Sequence, residues 1–313
     1  MRILFCGNTF PAARALLQQR LSQDDIVTVE TDRELARCGS VEVLVPLMFR
    51  IDAALMRSLR PRLIQQWGSG LEGVDLEAAR AQGVAVASVP AAGSNAQSVA
   101  EHVLLLTLAL LRDLSQAHKN LHAGLLGAPL GRMLAGRTVC LWGLGATALA
   151  IARCMKVLGA RLLGITREPS PDKTALYGLD ACYRTQDCRA ALAQTDILIP
   201  CVRLSEQTRG LIDAEALAAL PRGAFLVNAA RGALIEYQAL CAALESGRLG
   251  GVGLDVYWQE PFPPGDPLLQ MPNVVATPHV AGVTDRSYGE IATAVASNVE
   301  RLRSGEPLAN RVV

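Results

Sequence analysis

Four things are scarce in this chain of 313 residues, and each scarcity narrows what the protein can be. The first is charge of one sign: 30 Lys and Arg against 29 Asp and Glu leave +1 at pH 7, which is no field for nucleic acid or an anionic membrane. Long apolar runs are the second. The longest, Val103 to Leu111, already contains Thr107 and falls well short of a membrane span. Met1-Arg-Ile-Leu-Phe-Cys6 enters strand-like sequence directly, with no leader pattern. Paired cysteine spacing is the third. Cysteines 6, 38, 140, 154, 182, 188, 201 and 241 include no C-x-x-C, so reduced thiols in a cytoplasmic protein are expected, with no disulfide framework and no metal site. Histidine is the fourth: with only four, any one placed beside chemistry stands out. A small-molecule partner is the class that survives.

Apolar residues make up 50% of the chain, aromatics only 4%, and the length suits two α/β domains. β-rich runs at Arg2–Gly7, Ile26–Val29, Val41–Leu47, Leu63–Gly68 and Val84–Val89 alternate with helical stretches near Ala12–Leu21, Asp32–Arg37, Ala53–Leu59 and Leu76–Gln82. Repeated βα units imply a parallel sheet covered on both faces. Ser98-Val-Ala-Glu101 reads as a capping box that starts a long helix. Apolar residues hold nearly every position of that helix to Leu114, so it is expected to be buried all round and partly against a second subunit. A second series follows, with strands at Thr138–Trp142, Arg161–Ile165, Ala181–Tyr183, Asp196–Val202, Ala224–Asn228, Gly251–Val256 and Val274–Thr277. The fold class is therefore α/β, with two doubly wound parallel sheets.

At the head of the second series, Thr138-Val-Cys-Leu-Trp-Gly-Leu-Gly-Ala-Thr-Ala-Leu-Ala150 reads as strand, tight turn and helix. That is the order of a dinucleotide site. Gly143 permits the turn, Gly145 lets backbone approach a pyrophosphate, Ala148 allows close helix packing, and the turn residues Leu144, Ala146 and Thr147 complete the cradle. Where an NAD site usually has an acidic residue after the second strand, this chain has Thr166 and Arg167, which suit a 2′-phosphate; NADP is favoured, with NAD as the alternative.

Polar residues follow the late strands: Asn228 and Arg231, Asp255 and Glu260, and His279. Parallel strands all end on the edge that carries the glycine turn. A cofactor that exchanges hydride needs a group that moves the matching proton, and imidazole does so in both directions near neutrality. His279 is the candidate, since His102, His118 and His122 sit on or beside the long helix. Glu260 would orient its ring and stabilise the imidazolium, and the Arg231 fork would hold a substrate carboxylate.

These segments together resemble the D-isomer-specific 2-hydroxyacid dehydrogenase family, of the kind that includes glyoxylate and hydroxypyruvate reductases. The resemblance is carried by Gly68-Ser-Gly-Leu-Glu-Gly-Val-Asp75, Ser98-Val-Ala-Glu-His102, Gly143-Leu-Gly145, Asn228-Ala-Ala-Arg-Gly232, Leu254-Asp-Val-Tyr-Trp-Gln-Glu-Pro261 and Thr277-Pro-His-Val-Ala-Gly282. It implies an oxidoreductase acting at C2 of a small 2-keto or D-2-hydroxy acid, with Arg231, Glu260 and His279 as the catalytic set. It implies that Ser69 and Gly70 bind the substrate carboxylate through their backbone, beside Met48, and that Asp255 contacts the nicotinamide amide. Cys201, Val202, Asn228, Ala229, His279 and Gly282 are the further cofactor contacts it implies. A Rossmann-type nucleotide domain, 98–281, is expected to be inserted in a flavodoxin-like substrate domain, 1–97 with 282–313, and the crossings near Ser98 and Ala281 to act as hinges. A homodimer through the nucleotide domain is expected as well.

Two departures touch substrate detail: Pro200-Cys-Val-Arg203 replaces the family's more usual Pro-Leu-Thr-like loop, and aromatic residues are missing from His122 to Leu130. The alternative from another class is a non-catalytic dinucleotide-sensing protein on the same fold. A methyltransferase would also use a glycine turn, but it has no need of Arg231, Glu260 and His279.

Overall fold

Alternating apolar strands and helices build two parallel sheets in the computed structural model, which describes residues 1–7 and 9–313. The chain divides into two compact units, Met1–Asn95 with Thr284–Val313, and Ala96–Val283.

The first unit holds β1 (Arg2–Cys6), β2 (Asp25–Val29), β3 (Val43–Val45), β4 (Leu63–Gln65) and β5 (Ala85–Ala87). They pair in the order β2-β1-β3-β4-β5, which is the flavodoxin-like order. The last three strands are shorter than their apolar runs suggest. Chain that continues the run past β3 and β4 leaves the ladder to form loops, and Leu47 does so with a positive φ of 50°. The helix Asp285–Ser304 begins at Thr284, whose side chain accepts from Ser287 N, and stops at left-handed Gly305. It lies against the helix Pro11–Arg20: Arg20 donates through Nη2 to Gly289 O at 3.1 Å and through Nε to Thr293 Oγ1 at 3.0 Å. Near its end, Arg303 holds buried Asp24 in a two-pronged ion pair at 2.5 and 2.7 Å. Asn298 closes the same face, donating to Gln65 Oε1 at 2.7 Å and to Ala309 O at 2.9 Å.

The second unit holds β6 (Thr138–Trp142), β7 (Arg161–Thr166), β8 (Ala181–Arg184), β9 (Ile197–Pro200), β10 (Ala224–Asn228), β11 (Leu249–Leu254) and β12 (Val274–Ala276). Their order, β12-β11-β10-β9-β6-β7-β8, runs outward in both directions from the β6/β9 pair, the switch point where doubly wound sheets bind ligands. β6, β9 and β10 are buried along their whole length, as expected of strands covered by helices on both faces.

The long helix departs from expectation at two points. It spans Gly93–Leu111, so Ser98 and Glu101 lie inside it and form no capping box. Ser98 Oγ instead donates to Ala281 O at 2.7 Å, and Glu101 accepts from Gln97 Nε2 at 2.9 Å. Nor is the helix buried all round: Gln97, Glu101 and Leu105, spaced by four, make an exposed stripe opposite buried Val103, Leu106 and Leu110. Cys201, expected within a strand, follows β9. Among the described residues no helix is long and apolar enough to cross a membrane, no group of three or more metal-ligating side chains assembles, and all eight cysteines are free thiols.

Candidate active site

The glycine turn sits at the switch point. Gly143 takes φ +103°, and a Cβ there would press on Cys201 and on Val202 Cγ1. Only glycine lets the two strand ends lie this close. Cys201 N donates to Trp142 O at 2.7 Å and locks the same junction. The helix Ala146–Val157 starts at Gly145 with no side chain capping its first amides, and the space where a Gly145 side chain would project is open. Uncapped amides facing open space suit a pyrophosphate, and fully buried Ala148 keeps the helix close to the sheet. At the end of β7, Thr166 is half-buried and Arg167 exposed; Lys173 Nζ folds onto Glu168 O at 2.6 Å beside them. These residues fit a nicotinamide dinucleotide.

The late strands end in one row. Asn228 pairs in register with Leu254, and Leu254 with Ala276, so the three segments carrying Arg231, Glu260 and His279 leave the sheet side by side. Asn228 steers the first: Nδ2 donates to Arg231 O at 2.8 Å, and Oδ1 accepts from Ala230 N at 3.0 Å. Gly232 then passes so close to the second segment that a Cβ would overlap the Tyr257 carbonyl. Glycine at 232 is what brings Arg231 beside the stretch that carries Glu260. In the second segment Glu260 Oε1 accepts from Tyr257 N at 3.0 Å, which fixes the carboxylate. Its Oε2 meets His279 Nδ1 at 2.6 Å, with His279 28% and Glu260 14% exposed in their side chains. The imidazole is thus oriented by a carboxylate and still reaches solvent.

Tyr257 Oη donates to Thr277 O at 2.9 Å. Burial, with the negative charges of Asp255 and Glu260 behind it, pushes the phenol up to about 12, so it stays protonated and drops out as an acid-base group. Asp255 has no solvent exposure. Its Oδ1 accepts from Thr277 Oγ1 at 2.6 Å and Val280 N at 2.8 Å, and its Oδ2 from Ala281 N at 2.8 Å. Burial alone would raise its pKa; these donors and His102 outweigh it and hold the carboxyl below the ordinary aspartate range. The family resemblance implies a contact between Asp255 and the nicotinamide amide; the carboxylate also braces the backbone after His279.

His102 lies on the long helix, as expected, and its Nε2 is 2.8 Å from Thr277 Oγ1 and 3.4 Å from Asp255 Oδ1. The available signal was its spacing of four from Ser98 on an otherwise apolar face, since both side chains reach the Thr277–Ala281 segment. Met48, Ser69 and Gly70 belong to the first unit. There Gln66, which the sequence did not single out, ties their loops together: its Nε2 donates to Leu47 O at 3.0 Å and to Gly70 O at 2.7 Å.

Residues 104–281, more than half of the chain, match the family model described as D-isomer specific 2-hydroxyacid dehydrogenase, NAD binding domain. The chain is 34% identical to an (S)-sulfolactate dehydrogenase of Chromohalobacter salexigens, over 80% of this chain and 81% of that protein. It is 30% identical to a D-3-phosphoglycerate dehydrogenase of Archaeoglobus fulgidus over 86% of its own length, but spans only 51%, about half, of that relative. Among solved structures, the pyruvate reductase of Chlamydomonas reinhardtii superposes with a TM-score of 0.84 at 29% identity, covering 99% of this chain and 98% of that one. By this family match over more than half of its length, and by its identity with such a relative, the chain belongs to the D-isomer specific 2-hydroxyacid dehydrogenase family.

Proposed function

We propose that the protein transfers a hydride between a nicotinamide cofactor and C2 of a small 2-keto acid or D-2-hydroxy acid, with His279 moving the proton. The observation that carries this reading is the 2.6 Å bond between His279 Nδ1 and Glu260 Oε2, in the unit that also bears the Gly143–Gly145 turn. When bound, the cofactor supplies or accepts the hydride. In reduction, protonated His279 gives the Nε2 proton to the substrate carbonyl oxygen as C2 gains hydride, leaving a neutral ring; oxidation runs the same transfer backwards. Glu260 stabilises the imidazolium and sets which nitrogen faces the substrate. Arg231 binds the carboxylate and polarises the adjoining carbonyl. A dinucleotide-sensing protein would need the glycine turn, but not a histidine held by a carboxylate.

The cofactor proposed is NADP over NAD. Support comes from the Thr166 hydroxyl at the end of β7, exposed Arg167 after it and the Lys173 ammonium, which folds onto the backbone carbonyl of acidic Glu168. Arg167→Asp should swing the kcat/KM ratio toward NADH, and an unchanged ratio would remove Arg167 from the site.

For the substrate, the relatives' names include acids with a second anionic group, phosphoglycerate and sulfolactate, and one without, glyoxylate. The segment proposed as the pocket wall here is Leu47, Met48 and Phe49, with Arg50 its one cation and acidic Glu72 and Asp75 after the glycine loop. A phosphate left unpaired in a dry site costs several kcal/mol. We therefore expect glyoxylate, hydroxypyruvate or a 2-keto acid with a modest apolar side chain to exceed phosphohydroxypyruvate in kcat/KM with NADPH. A clear preference for the phosphorylated acid would overturn this pocket, and no turnover of any would overturn the reaction. A homodimer in the cytoplasm completes the proposal, supported by exposed Leu105, Leu114, Leu121, Leu126, Leu130 and Met133 on the long helix and the segment after it.

A further inference from the structure

His279 has an unusual backbone. Its φ of +54° lies in the left-handed region, which a side chain bearing a Cβ enters only at a cost. Its own N–H reaches Thr277 O at 3.1 Å, and the two amides that follow it, Val280 N and Ala281 N, are both taken by the Asp255 carboxylate at 2.8 Å. One carboxylate therefore grips the turn immediately past the histidine. What holds the carboxylate in turn is the side-chain chain that reaches it from the long helix.

The hydrogen-bond directions follow from proton supply. Thr277 Oγ1 has one proton, and its shortest acceptor is Asp255 Oδ1 at 2.6 Å, against 3.4 Å to Leu254 O. The hydroxyl oxygen is then an acceptor toward His102 Nε2 at 2.8 Å, so that nitrogen carries a proton and donates. The same N–H leans on Asp255 Oδ1 at 3.4 Å. Four donors converge on a carboxylate with no solvent exposure, so the loss of one leaves a buried charge short of a partner.

We propose that His102 and Thr277 are positioning residues for the reaction: they fix the Asp255 carboxylate, which fixes the left-handed turn that aims His279. Neither touches substrate in this role. The proposal rests on the reaction assigned above for its kinetic consequence, but the brace itself is a property of the fold. A misplacement of about 1 Å in a reacting group can cost on the order of a hundredfold in rate.

The test uses the full chain with His102→Leu, His102→Gln, Thr277→Val and Thr277→Ser. Leucine and valine remove the donor at similar size; glutamine and serine keep an N–H or O–H at that place. Amide hydrogen exchange read at Val280 and Ala281 should accelerate by at least about tenfold in the leucine and valine variants, and return toward wild type in the other two. Under the same pattern, kcat for 2-keto acid reduction should fall between about tenfold and a hundredfold while KM for the acid stays within about twofold. If His102→Leu does not fold, Thr277→Val carries the same readouts. Unchanged exchange at Val280 and Ala281 overturns the inference, as does accelerated exchange with kcat at the wild-type value. Should the wild type turn over no 2-keto acid, it is the reaction that falls; the exchange rates still decide the brace.

Discussion

At the scale of single residues the site depends on one bond. The 2.6 Å contact between His279 Nδ1 and Glu260 Oε2 stabilises the charged ring, and charge is what reduction consumes. Reduction of a keto acid should therefore slow as pH rises and the ring loses its proton, while oxidation of the hydroxy acid gains over the same range. Glu260→Gln keeps a similar shape but removes the charged partner that orients the ring, so kcat should fall in both directions. Steady-state kcat across pH in the two directions checks this, and unchanged rates would assign the orienting role elsewhere. His279→Ala should lose at least about a hundredfold in kcat, the low end of what a positioned acid-base group provides.

Between elements, charge matters where it is dry. Asp24 sits in the turn ahead of β2, 2% exposed, and the guanidinium of Arg303 reaches it from the C-terminal helix. Burial works against its ionisation, but the Arg303 hydrogen bonds and the chain's amino group prevail, and its pKa is lowered. A depressed carboxyl pKa adds stability that is fully present above the unfolded value, about 3.9, and is lost as pH falls through the folded value. Asp24→Asn should thus cost roughly 1–2 kcal/mol at neutral pH, at the low end for a charged hydrogen bond because Arg303 is 41% exposed and screened. The difference from wild type should shrink below about pH 4. Urea unfolding at pH 7 and at pH 3 measures both numbers, and an equal difference at the two would remove the ion pair as the cause.

For the molecule as a whole, the apolar surface predicts assembly. Leu126 is 90% and Leu130 97% exposed, close in sequence to Leu121 at 67% and Met133 at 66%, a concentration that a monomer rarely leaves in water. A twofold dimer through this segment should sediment as one species at micromolar concentration. Leu126→Glu with Leu130→Glu should shift it to monomer, and a wild type already monomeric would end the proposal.

Much of this was legible in the sequence, because the parts concerned are local. Apolar runs and helical spacing marked every strand of both sheets, since buried parallel strands must be apolar throughout. The glycine turn and the three chemical side chains announced themselves as residue types with few other uses at strand ends. What sequence alone misjudged was where neighbours compete. Ser98 and Glu101 had the form of a helix cap, yet the helix continues upstream to Gly93 and their side chains bond elsewhere. Nor does local sequence show that Asp255 accepts from the Val280 and Ala281 amides, or that His102, on the long helix, reaches Asp255 and Thr277. These partners are 153 and 175 positions from His102, and no local propensity reports which distant donor reaches a buried carboxylate first. Local sequence was enough to mark the parallel strands, the glycine turn, and Glu260 and His279 as a candidate pair; what holds those two in place was settled in three dimensions, because buried hydrogen bonds are allotted by proximity in space.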